Sequence, residues 1–157
     1  MFRDASGLQL NTDRMIEAIV SFMRDVPNRR YKIMVGTDSV LSSDGSADFA
    51  TAIVVHRVGN GGRYFWRRME FSQFHTLRDR IIREVLVSLD AARELLEEFR
   101  RSENVPHFDF EIHADIGEKG ETKVMMQEVL GMIRAYNFEA RTKPESYAAS
   151  KVADRHT

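Results

Sequence analysis

The stretch YKIMVGTDSVLSSDGSADFATAIVVHRVGNGGRYFWRRMEFS, residues 31–72, decides the fold. Residues 31–40 alternate, with Tyr31, Ile33, Val35 and Thr37 on one side and Lys32, Met34, Gly36 and Asp38 on the other. LSSDGSAD is a turn, and FATAIVVHRV is a second strand. GNGG, at residues 59–62, is a hairpin signal that leads into a third strand, RYFWRRMEFS. Three strands joined by short turns make an antiparallel meander.

Outward from this meander the periodicity changes from two to 3.6. Residues 76–101 carry an apolar stripe of Leu77, Ile81, Val85, Leu89, Ala92, Leu96 and Phe99, which predicts a long helix. VPHFDFEIHAD is a fourth strand, ETKVMMQEVLGMIRAY a helix, FEARTKP a short fifth strand and ESYAASKVADRHT a closing helix. On the other side, NTDRMIEAIVSFMRDVPN predicts a first helix with Asn11 or Thr12 as its cap and Pro27 beyond its end. The expectation is a single α/β domain over residues 1–157, with residues 1–28 as a helical extension. Its core is a five-stranded mixed sheet, the first three strands antiparallel, flanked by helices.

Composition narrows the function classes. Without cysteine there are no disulfides and no thiolate metal sites. A formal net charge of −1 is not that of a globally basic nucleic-acid binder, although a local basic strip or bound cations can still bring phosphate to an acidic site. No apolar run approaches the roughly 20 residues of a membrane span, and MFRDASG lacks the apolar core of a signal peptide. The expected location is cytoplasmic.

Four carboxylates are out of place. Asp38 closes the first meander strand in GTDS, beside Gly36, whose missing side chain leaves space above the sheet; an Asx cap of the next turn also fits it. Glu84 lies at the margin of the buried helical stripe, where it either reaches water, pairs with Arg80, or meets a cation. Asp115 follows Asp109, Glu111 and His113 along the fourth strand. Asp154 stands near the end of the last helix, where a carboxylate opposes the helix dipole. Four elements thus offer one acid each. Oxygen donors without thiolates favour Mg²⁺ or Mn²⁺, and two such ions about 4 Å apart can serve phosphodiester hydrolysis.

VGTDS, RIIREVLVSLDAARELL, IHADIGEKGETK and KPESYAASKVADR together resemble the YkuK-type family of ribonuclease H-like proteins, over almost all of the chain after the first helix. The resemblance implies a ribonuclease H-like fold with a carboxylate site for divalent metal. By position, the metal-holding and catalytic roles fall on Asp38, Glu84, Asp115 and Asp154. Asp38 would bridge both ions, Glu84 and Asp115 would hold the side where the scissile phosphate enters, and Asp154 the nucleophile side. The basic handle helix with which some ribonucleases H grip a hybrid duplex has no evident counterpart. The reaction expected is hydrolysis of RNA, RNA–DNA hybrid or a nucleic-acid junction. The alternative is a non-catalytic scaffold that binds nucleic acid or a protein partner.

Other motifs carry less. DIGEKGETK is similar to the first phosphate loop of actin-like sugar kinases, but those enzymes need two such lobes, and the Gly-Lys-Ser/Thr ending of a P-loop is missing. The five histidines show no paired zinc spacing. His113 either orients a metal-bound water or bonds within the sheet; His156 either assists product departure or lies free. Arg63, Trp66, Arg67 and Arg68 mix basic and aromatic residues as a nucleic-acid strip does, yet alternation gives one face of that strand to the core. Lys143, Lys151 and Arg155, around the closing helix, are the better phosphate contacts.

Overall fold

A computed structural model describes residues 1–117, 120, 122–143 and 146–157, without the side chains of residues 147, 148, 150 and 151. The chain opens with two short strands, β1 (Phe2–Asp4) and β2 (Gln9–Leu10), followed by helix α1 (Thr12–Asp25). The meander is β3 (Tyr31–Leu41), β4 (Ala47–Arg57) and β5 (Gly62–Phe71). Helix α2 (Leu77–Arg101) leads to β6 (Asp109–His113). Helix α3 (Met126–Ala135), strand β7 (Glu139–Arg141) and helix α4 (Tyr147–Asp154) complete the described chain.

The strands form one mixed sheet in the order β2-β1-β5-β4-β3-β6-β7. The meander pairs antiparallel, while β6 joins β3 and β7 joins β6 in parallel through helical crossovers. The sheet therefore has seven strands among the described residues, not five. The additional pair is an N-terminal hairpin, so residues 1–28 are not a purely helical extension. Asp4 builds its turn by accepting the amides of Ser6 and Leu8, and Gly7 supplies the left-handed backbone, at φ 88°. β1 then extends the meander by pairing with β5, Arg3 opposite Trp66. Strands of three and two residues are too short to show alternation, and only tertiary pairing makes them strands.

Helices cover both faces. Met15, Ile16, Ile19 and Met23 of α1 and Val85, Leu89, Ala92 and Leu95 of α2 bury against Ile33, Val35, Ile53, Val55 and Ile112 of the sheet. Asn11 caps α1 by accepting the Arg14 amide, and Thr76 caps α2 by accepting that of Asp79. Thr37 points into this layer, as alternation requires, and is satisfied by Thr51 at 3.0 Å and Ser88 at 2.7 Å. The helix expected over residues 121–136 is shorter: a single 3₁₀ turn, Lys123–Met125, precedes α3.

On the opposite face lies α4, and its placement corrects the reading of Gly36. The space above that glycine is occupied, because an added Cβ would stand 3.0 Å from the Ala149 Cβ and 3.3 Å from the His113 carbonyl oxygen. Glycine at this position lets a helix approach the sheet closely. It does not keep a cleft open.

Candidate functional site

Parallel pairing of β3 and β6 brings their carboxyl ends to one edge of the sheet, where open α/β sheets place their ligand crevices. Gly36 pairs with His113, the last β3–β6 pair, so Asp38 and Asp115, each two residues further on, stand at the same level; Asp38 is still in β3, opposite Ala50 of β4. Asp115 itself stands in the bend beyond β6. Asp38 lies on the α4 face, towards Asp154. Ser39, on the opposite face, meets α2, and its hydroxyl donates to Glu84 Oε1 at 2.6 Å. Four elements thus converge on one edge.

The electrostatics record that convergence. Burial raises Asp38 to about 6; the Ser39 amide opposes the shift, while a hydrogen bond with Asp154 and the charges of Asp115 and Asp154 add to it. Burial also raises Glu84, to about 8, with the charges of Asp38 and Asp115 adding and the Ser39 hydroxyl and Arg80 opposing. Arg80 does not pair with Glu84 directly. Its Nη1 donates to the carbonyl and hydroxyl oxygens of Ser39, at 3.3 Å each, so Ser39 stands between the two charges.

Lys143 lies beside this cluster, with its Nζ 3.1 Å from Asp115 Oδ1. The Lys143 amide donates to the Ile116 carbonyl at 2.7 Å, and Gly117 gives that segment room, since a Cβ there would come within 3.2 Å of the Lys143 Cβ. The Gly117 amide faces the Thr122 hydroxyl at 3.4 Å. Residues 118, 119 and 121 of the glycine turn lie outside the described residues, as does the side chain of Lys151. Arg155 is exposed beyond α4.

Among the described residues, no three acids or histidines converge closely enough to hold a metal ion. The donor set nonetheless fits a hard divalent cation chemically. It offers oxygen ligands alone, and two of its acids are pushed towards protonation first by burial and then by neighbouring carboxylates. A cation would relieve that repulsion. Without it, stability depends on pH: Glu84 in the folded chain stands above its ordinary 4.5, so its contribution is full below pH 4.5 and is lost as pH rises through about 8. Metal-free E84Q is therefore expected to melt about 2–6 °C above the wild type at pH 9 and level with it at pH 4, from about 1–2 kcal/mol after allowance for partial solvation. Scanning calorimetry checks this, and an E84Q protein that melts lower at pH 9 contradicts it.

Three further residues near the site were not assigned to it from the sequence. Ser39 orients Glu84. Glu111 is buried in β6 and holds Lys32 at 3.7 Å, Arg141 at 3.1 Å and His113 Nε2 at 3.1 Å. Its signal was present, because an acid inside a strand covered on both faces needs buried partners. His113 thus bonds within its own strand, and burial lowers its pKa against the pull of Glu111. Trp66 is the third: its ring stacks on that of His156, with centroids 4.0 Å apart and planes 7° from parallel.

Comparison with known proteins agrees with this architecture. The family described as Ribonuclease H-like matches residues 14–157. The Uncharacterized protein YkuK of Bacillus subtilis (strain 168) is 30% identical over 167 aligned positions, which cover 100% of this chain and 96% of that protein. No solved structure matches. The chain belongs to the ribonuclease H-like family.

Proposed function

We propose that the chain is a divalent-metal-dependent phosphodiester hydrolase that acts in the cytoplasm on RNA, RNA–DNA hybrid or a nucleic-acid junction. The observation that carries the reading is the gathering of Asp38, Glu84, Asp115 and Asp154 from four elements at one sheet edge, with Asp38 raised to about 6 and Glu84 to about 8. These four would hold Mg²⁺ or Mn²⁺. When bound, a pair of such ions supplies an activated water and stabilises the leaving oxygen.

The chain's own groups prepare that chemistry. Asp38 releases the proton that burial and its hydrogen bond with Asp154 hold on it. The Ser39 hydroxyl fixes the carboxylate of Glu84, and Arg80 fixes Ser39. Lys143, half-exposed and paired with Asp115, is placed to exchange that partner for a substrate phosphate, and exposed Arg155 to touch the same backbone.

The second reading, a non-catalytic scaffold for nucleic acid or a protein partner, draws support from the Lys143–Asp115 ion pair, which gives one acid a partner within the chain. Cleavage separates the two. Labelled single-stranded RNA, RNA–DNA hybrid, duplex DNA and a four-way junction are incubated with Mg²⁺ or Mn²⁺, beside D115N. Metal-dependent cleavage of one substrate, lost in D115N, is expected. Equal cleavage by wild type and D115N rejects the site, and no cleavage of any substrate favours the scaffold.

A further inference from the structure

We propose that the Trp66–His156 stack is a clamp that positions Asp154 against Asp38; the inference rests on the metal-site reading above. Strand register puts His113, Gly36, Ala52 and Trp66 in one row across β6, β3, β4 and β5, on the face that α4 covers. Gly36 and Ala52 make a low floor beneath Ala149 and Ala153, both fully buried, and Trp66 is the tall wall at the end of the row.

The helix itself is a weak support for a functional carboxylate. α4 has eight residues, too few to hold its shape in isolation, and Asp154 is the last of them. Negative charge there opposes the helix dipole, and Asp38 repels it further. Two residues on, the His156 ring lies flat on Trp66 and 5.7 Å from the Tyr64 ring. The His156 amide donates to the Ala153 carbonyl at 3.0 Å, and the Thr157 hydroxyl to the Asp154 carbonyl at 3.0 Å. The last turn is thereby pinned to the sheet through an aromatic contact outside the helix. Trp66 is backed in turn by β1, its pairing partner there being Arg3, which gives the N-terminal hairpin a role in the site.

His156 Nε2 is buried and has no hydrogen-bond partner among the described residues. The clamp therefore uses the ring and not its polar atom, so phenylalanine should replace it. Mn²⁺ alone is the probe, its affinity read from titration of the melting temperature, with metal-free melting as the check on folding. H156A is expected to bind Mn²⁺ about 10- to 100-fold more weakly, H156F within about threefold of wild type, and D154N/H156A no more weakly than D154N alone. Wild-type affinity in H156A, a loss in H156F equal to that in H156A, or additive losses in the double variant would each overturn the clamp while leaving the metal site standing. If the wild type shows no Mn²⁺ response, the metal-site reading fails by itself. Amide exchange in the metal-free protein then decides the clamp: faster exchange at residues 153–157 in H156A but not H156F supports it, and unchanged exchange in H156A overturns it.

Discussion

D38N is expected to lower metal-dependent cleavage by at least about a thousandfold while leaving the protein folded. Asp38 stands within central strand β3, between Asp115 in the bend beyond the neighbouring parallel strand and Asp154 on α4, and it is the acid whose ionisation both of those neighbours influence. An amide keeps the shape and removes the negative charge. If the bridging position contributes about 4 kcal/mol to the stabilisation of developing charge, its loss is on the order of 10³-fold in rate. The same substitution removes a source of strain. Asp38 stands above its ordinary 3.8, so its contribution to stability is full below pH 3.8 and is lost as pH rises through about 6. D38N should therefore melt at or above the wild-type temperature at pH 8 when metal-free. Lost cleavage with retained melting is the expected pair of results, from single-turnover kinetics and calorimetry on one preparation. Lost cleavage with a collapsed fold would show that Asp38 is structural.

G36V is expected to do the reverse, damaging the fold first and the chemistry through it. The Cβ alone would meet Ala149 Cβ at 3.0 Å, His113 O at 3.3 Å and the Ala149 carbonyl carbon at 3.4 Å. Two of these three atoms are backbone, which cannot rotate away, and valine adds two methyl groups to the conflict. Overpacking of this kind costs about 1–3 kcal/mol, and the valine stands at its upper end. The expected fall in melting temperature is about 6–12 °C for a chain of this size. The helix that has to move carries Asp154, so Mn²⁺ stabilisation should fall with it. Unchanged melting and unchanged Mn²⁺ response in G36V would mean that α4 does not rest on β3 as described.

The contrast between these two neighbours shows what was legible in the sequence. Alternation along residues 31–40 put Gly36 and Asp38 on one face and Thr37 on the other, and the structure agrees. It could not say what covers the Gly36 face, because a missing side chain admits either a cleft or a helix, and only tertiary packing chooses. Glu84 was visible as an acid at the edge of an apolar stripe; its partner was not, since Ser39 is an ordinary hydroxyl until β3 meets α2. The first hairpin escaped for a different reason: five residues of strand carry too little periodicity, and their pairing is set by β5. His156 reads as a loose terminal residue in sequence, whereas its ring is seated on a tryptophan 90 positions earlier. Long periodic elements and the strand order were therefore readable. Contacts between distant elements were not.

The central claim is that the four acids are a divalent-cation site, and proton release on Mn²⁺ binding tests it most directly. Calorimetric titration at pH 7 in two buffers of different ionisation enthalpy gives both affinity and the number of protons released. With Asp38 raised to about 6 and Glu84 to about 8, binding must displace protons from the cluster, and the buffer dependence should shrink in E84Q and binding itself fail in D38N. Saturable Mn²⁺ binding with proton release, lost on D38N, is the predicted result. No saturable binding by the wild type at millimolar Mn²⁺, or binding that D38N leaves intact, would contradict the account.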